Sequence, residues 1–184
     1  DKDAAVLALI DPQQRILICR RADHLKIHAG ESCLPGGKCD KGDANFTETA
    51  LREAEEELGI DRSLVNIQYE LPEISNLEGY LMHTVVGRVS EEPQLSINKE
   101  EVAETMWVPL ESFLMSNNHW TTQYDRFNVH VFEFPQFDVF GFTADLCMLI
   151  AIRELGKSPE FDINNGQKDI TKIKLKPITT LLLF

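Results

Sequence analysis

The segment "LPGGKCDKGDANFTETALREAEEELGI", Leu34 to Ile60, constrains the fold more than any other part of the chain. It places a proline and two glycines shortly before a helix-forming run whose glutamates stand about one turn apart. Asn45 precedes Glu48 by the spacing of a capping box, and Gly59 is the residue type that ends helices in a left-handed conformation. The pattern therefore predicts a helix between Asn45 and Gly59. At about 100° per residue, Leu51, Ala54 and Leu58 form one stripe, while Glu53, Glu56 and Glu57 fall together on the opposite side. One face packs on a core. The other gathers carboxylates that repel one another by roughly 0.2–0.5 kcal/mol per pair.

A divalent cation would compensate that repulsion, and carboxylate oxygens are hard ligands suited to Mg²⁺ or Mn²⁺. Arg52 lies about 40° around the axis from Glu56, where it can orient or neutralise that carboxylate, and Glu55 points elsewhere, to solvent. On its own a glutamate-rich helix is ordinarily a solvated face. Pro35, Gly36 and Gly37 change the reading, because glycines let main-chain groups approach a metal-bound phosphate that side chains would block.

The remaining elements suggest a mixed sheet with helices on its faces. "AAVLALI" (Ala4 to Ile10) and "RILICRR" (Arg15 to Arg21) flank the turn signal "DPQQ" and read as a hairpin. "LVNIQYEL", "YLMHTVVGRV", "AETMWVPL" and "NVHVFEF" carry strand composition, and "TADLCMLIAIREL" predicts a second, mostly buried helix opening on a Thr143 cap. From Gly156 onward the pattern dissolves, so the expected division is a domain of residues 1–155 and a partly ordered extension of residues 156–184.

With 18 Lys+Arg against 30 Asp+Glu the net charge is -12, which argues against nucleic acid and anionic membrane surfaces as partners. No apolar run reaches the ~20 residues of a membrane span, and the closing "TTLLLF" is far too short. The four cysteines form no CxxC pair and no zinc spacing, as expected of reduced, mostly buried thiols in an intracellular protein. The chain starts at Asp1 without a methionine, which leaves room for an upstream targeting segment.

The long segment resembles the Nudix box, G-x5-E-x7-R-E-U-x-E-E-x-G-U with U a bulky aliphatic: Gly37 opens it, and Arg52, Glu53, Glu56, Glu57, Gly59 and Ile60 fill its later fixed positions. Ala54 replaces the usual larger aliphatic. The loop is one residue longer than the general pattern, so the first acid is Asp43 counted from Gly37, whereas counting back from Arg52 falls on Ala44. A longer loop of this kind resembles the coenzyme A pyrophosphatase branch of the family, whose signature L-L-T-x-R-[SA]-x3-R-x3-G-x3-F-P-G-G is matched in spacing by Leu17 to Gly37. Ile18, Cys19, Lys26 and Leu34 are the substitutions in it. Lys26 keeps the charge of the arginine but not its bidentate fork.

The resemblance implies a Nudix-type α/β/α sandwich with a mixed sheet. It implies hydrolysis of the diphosphate of coenzyme A or its thioesters, to 3'-phospho-AMP and (acyl-)4'-phosphopantetheine. Glu53, Glu56 and Glu57 would hold Mg²⁺ or Mn²⁺. Arg52 would hold Glu56, and the general base would come from Glu56 or from Glu101, with Glu100 beside it as a further candidate. Arg21, Lys26, Gly30, Gly36, Gly37 and Lys38 would bind substrate. Arg20, Arg21, His24, Lys26 and His28 form a cationic cluster in an acidic chain, suited to the phosphates of coenzyme A. Relatives of this branch imply a cytoplasmic protein in bacteria and a peroxisomal or mitochondrial one in eukaryotes; the oligomeric state is open. Two rival readings stand: a Nudix enzyme for another nucleoside diphosphate derivative, such as an oxidised nucleoside triphosphate or a dinucleotide, and a Nudix-shaped binding module without catalysis.

Overall fold

The computed structural model describes residues 2–76, 78–124 and 127–163. The chain forms two compact units, Asp1–Trp107 and Val108–Phe184. In the first, the order is β1 (Asp3–Ile10), β2 (Arg15–Arg21), β3 (Ser32–Cys33), β4 (Gly36–Lys38), α1 (Phe46–Leu58), β5 (Asn66–Glu70), β6 (Ile74–Ser75), β7 (Leu81–Arg88) and β8 (Val102–Pro109), whose last two residues enter the second unit. The sheet runs β3-β2-β1-β7-β5, with β4 on β1, β6 on β7 and β8 on β2. β1 pairs in parallel with β7, from Asp3↔Leu81 to Ile10↔Arg88, and antiparallel with β2 and β4, so the sheet is mixed as expected.

The expected hairpin forms because Asp11 builds its turn. Its buried carboxylate accepts from the Gln13 and Arg15 amides at 3.0 and 2.9 Å and pairs with the Arg15 guanidinium. Central β1 is buried along almost its whole length. Its alternate residues Ala5, Leu7 and Leu9 meet Ala50, Leu51, Ala54 and Leu58, the stripe read from the sequence on α1. The helix ends also match expectation. Asn45 accepts from the Glu48 amide at 2.9 Å, and Gly59, at φ 65°, returns its N–H to the Glu55 carbonyl.

The second unit holds β9 (His119–Tyr124), β10 (Phe127–Phe132), β11 (Val139–Phe140) and α2 (Gly141–Leu155), with sheet order β11-β10-β9. The helix starts two residues before the expected Thr143 cap. Phe140 occupies the cap without a side-chain hydrogen bond, and Thr143 is buried inside the first turn. Residues 157–163 pack within this unit, where the Glu160 amide donates to the Leu114 carbonyl at 2.8 Å and Phe161 stacks on His119. The rest of the expected extension, including "TTLLLF", lies outside the described residues. Among the described residues no helix is long and apolar enough to cross a membrane.

Candidate active site

The Pro-Gly-Gly segment is not an open loop. Gly36, Gly37 and Lys38 are strand β4, aligned against Val6, Ala5 and Ala4 of β1. This wedges the backbone between β1 and α1, and the space left explains both glycines. A Cβ on Gly36 would come within 2.3 Å of the Ala5 carbonyl, and one on Gly37 within 2.5 Å of the Glu53 carboxylate. The Gly36 amide donates to Glu57 Oε2 at 3.1 Å.

The carboxylate of Glu57 is buried, at 4 % exposure, while Glu53 is half-buried and Glu101 exposed. One oxygen from each can be chosen so that all three lie within 4.8 Å of one another. Burial, the Cys33 thiol and the neighbouring carboxylates Glu53 and Glu101 push Glu57 up to about 9. Burial also raises Glu53, with Glu56 and Glu101 adding to it against the opposing pull of Arg52. Like charges this close ionise together only when a cation joins them, and three oxygen donors around one point are the donor chemistry of Mg²⁺ or Mn²⁺.

Glu101 reaches the group from the loop before β8. That loop supplies amide donors to the C-terminal end of α1, Ser96 to the Leu58 carbonyl and Asn98 to the Glu57 carbonyl, both at 2.8 Å. Asn98 Nδ2 then donates to Glu101 Oε1 at 3.1 Å. Asn98 went unread in the sequence; its signal is an asparagine that turns the chain just before the acid, accepting from the Glu100 amide. Glu100 itself is turned outward toward His24 at 3.5 Å.

Glu56 is more than half exposed and stands outside the three-carboxylate group. Arg52 does touch it, at 3.3 Å, but the main partner of Arg52 is Asp43, through parallel bonds of 3.0 Å from Nε and Nη2. The same guanidinium reaches Glu53 at 3.1 Å and the Lys38 carbonyl at 3.2 Å, so it ties the loop, β4 and α1 together. Arg52, with the Asp40 amide and the Thr49 hydroxyl, holds the Asp43 carboxyl well below the usual carboxylate range. Counting from Gly37 thus lands on the acid that pairs with Arg52.

The cationic cluster is largely engaged by acids. Arg20 pairs with Asp23 and Glu104, and both ring nitrogens of His28 meet carboxylates, Glu31 and Glu78, at 3.0 Å. Lys26 is exposed, and Arg21 is half-buried at the end of β2. Gly30 turns at φ 75°, its amide donating to the Arg21 carbonyl. Lys38 is exposed, with its ammonium 5.3 Å from the centre of the Tyr80 ring.

A family model described as NUDIX domain matches residues 1–128. The peroxisomal coenzyme A diphosphatase ndx-8 of Caenorhabditis elegans is 36% identical over 174 residues, covering 89% of this chain and 73% of that protein. An uncharacterized Nudix hydrolase, NudL of Yersinia enterocolitica, is 41% identical over 120 residues, covering 64% of this chain and 62% of that one, so the match spans less than two thirds of the bacterial relative. Among solved structures, the MutT protein of Methanosarcina mazei aligns with TM-score 0.57 and 20% identity over 84% of this chain and 95% of that one. The Nudix hydrolase RenU from M. Smegmatis aligns with TM-score 0.50 and 24% identity over 60% of this chain and 71% of that one. These likenesses show the fold expected from the sequence, and with the match to more than half of the chain they place it: this protein belongs to the Nudix hydrolase family.

Proposed function

We propose that the protein hydrolyses the diphosphate of coenzyme A or its thioesters, giving 3'-phospho-AMP and (acyl-)4'-phosphopantetheine. The observation that carries the chemistry is the Glu53, Glu57 and Glu101 group, three carboxylates that can each bring one oxygen within 4.8 Å of the other two. The substrate assignment rests on the ungapped spacing of Leu17 to Gly37 and on the likeness to ndx-8. Glu53, Glu57 and Glu101 would hold Mg²⁺ or Mn²⁺, with Glu56 at the rim. The ion supplies charge neutralisation of the diphosphate oxygens and a more acidic bound water.

The chain's own residues then have separate tasks. β4 presents Gly36, Gly37 and Lys38 to the diphosphate, and the Arg52 fork to Asp43 keeps Glu53 in place. Arg21, Lys26 and Gly30 shape the loop that receives the remainder of the nucleotide. Glu101 and Glu56 are the acids within reach of a water proton. Replacing each by Gln separates them: the base is the position where turnover at saturating metal falls further than the loss of bound metal accounts for. We assign residues 1–155 to the hydrolase domain and 156–184 to an extension.

Incubation with coenzyme A and Mg²⁺ or Mn²⁺, with products resolved by chromatography, tests the reading. Both expected products appear, and Glu57→Gln or a chelator abolishes them. If coenzyme A stays intact while another nucleoside diphosphate derivative is cleaved, the substrate assignment fails and the family chemistry stands. That second reading draws on the pairing of Arg20 and His28 with carboxylates, which leaves less free positive charge for a phosphorylated ribose.

A further inference from the structure

Cys19 on β2 and Cys33 on β3 are directly opposed in an antiparallel pair. Side chains at such positions stand about 4.5–5.5 Å apart at Cβ, so closing a disulfide draws them together by about 1 Å to the roughly 3.5–4.5 Å that the bond spans. Their Cα separation falls within the roughly 4.4–6.8 Å that a disulfide spans. β3 is a two-residue strand at the edge of the sheet, so its backbone can adjust to a new bond without disturbing further strands. Cys19 is fully buried and Cys33 half-buried.

We propose that Cys19 and Cys33 are a modification site, a dithiol that hydrogen peroxide converts to a reversible disulfide with Cys33 as the attacking sulfur and Cys19 as the resolving one. The division of roles follows from access, since a small oxidant reaches Cys33 first. It also follows from charge: a hydrogen bond from Cys19 and the nearby Arg21 guanidinium favour the Cys33 thiolate, against the opposing effect of burial. Cys19 is held in its thiol form by the same hydrogen bond and by burial. In the first step the Cys33 thiolate attacks one peroxide oxygen and the O–O bond breaks. The leaving hydroxide takes the proton that Cys33 gave up and departs as water, leaving a sulfenic acid. Cys19 sulfur then attacks Cys33 sulfur, the S–O bond breaks, and the hydroxyl leaves as a second water with the Cys19 proton. Two thiols lose two electrons and one peroxide is reduced. Burial raises Cys39, which disfavours its thiolate.

The test treats the full chain with hydrogen peroxide, blocks remaining thiols with an alkylating reagent, and maps peptides by mass spectrometry. Arg20, Arg21 and Lys26 lie between the two cysteines, so trypsin separates them. The expected result is a joint loss of alkylation at Cys19 and Cys33, a linked peptide pair lighter by two hydrogens, and recovery of both thiols with dithiothreitol. In Cys19→Ser the chemistry should stop at a Cys33 sulfenic acid that dimedone traps. Cys33 alkylated as fully after peroxide as before, or found linked to Cys39 or to another chain, overturns the proposal. The wild-type measurement decides even if the serine variant fails to fold.

Discussion

Arg52 carries a two-bond fork to Asp43 and a third bond to Glu53, so removing the fork frees the guanidinium to swing and takes Glu53 with it. Asp43→Asn should therefore lower Mn²⁺ affinity by about 10–100-fold, the usual cost of a lost outer partner of a metal ligand, read by titration with the metal. The same change has a pH signature. The folded carboxyl of Asp43 titrates below its unfolded value of about 3.9, so its stabilisation is present above that pH and is lost as pH falls toward the folded value. Thermal unfolding of Asp43→Asn should show a flatter acid limb than wild type. Glu57 runs the other way. Between its ordinary 4.5 and its folded value of about 9 the folded chain holds a proton that the unfolded chain has released, so metal-free stability falls as pH rises through that window. Glu57→Gln imitates the protonated carboxyl: without metal its melting temperature should exceed that of wild type at alkaline pH, and added Mn²⁺ should stabilise it less than wild type. A variant that is less stable at alkaline pH would mean that the negative charge at Glu57 helps to hold the metal-free fold.

At the level of elements, α1 was legible because its signals are local. The cap at Asn45, the stop at Gly59 and the apolar stripe all lie within one helix, and each forms as the spacing demands. β4 was not legible, since three residues of Gly-Gly-Lys carry no strand propensity and pair with β1 only because the chain returns there after β3. Glu101 was nominated from sequence, but its union with Glu53 and Glu57 depends on a loop seated on the end of α1 through backbone hydrogen bonds, which no periodicity reports. The grouping of Glu56 with Glu53 and Glu57 followed from helix angle and from the family resemblance, and neither tells which way a long side chain leans. Gly37→Ala isolates the contribution of β4. Extended backbone accepts alanine, yet the new methyl would meet the Glu53 carboxylate, so the melting temperature should change little while metal affinity falls by at least as much as in Asp43→Asn. Asn45→Ala should do the reverse, costing about 1 kcal/mol of stability with metal affinity kept.

Across the whole molecule the two units should respond to pH in opposite senses. In the second unit the His130 Nε2–H donates to the Ile163 carbonyl at 3.1 Å, which leaves Nδ1 to accept from the His119 Nε2–H at 2.9 Å. That chain of hydrogen bonds needs His130 neutral, because a proton on its Nδ1 would set two donors against each other. Burial, with His130 adding to it, lowers His119 to about 4, and burial also lowers His130. Between about 4 and the ordinary 6.5 the unfolded chain binds more protons than the folded one, so stability is full above 6.5 and lost as pH falls through that window. The first unit, metal-free, instead weakens as pH rises from 4.5 toward about 9, through Glu57. The two tryptophans, Trp107 and Trp120, fall one in each unit, so Trp107→Phe and Trp120→Phe each leave a fluorophore reporting on a single unit. Thermal unfolding followed by Trp120 should shift to lower temperature on going from pH 7 to about pH 4.5, and His119→Gln should flatten that dependence. The transition followed by Trp107 should shift downward on the alkaline side and recover with Mn²⁺. If both probes report one transition with one pH dependence, the units unfold as a single cooperative body and the histidine and glutamate effects add within it.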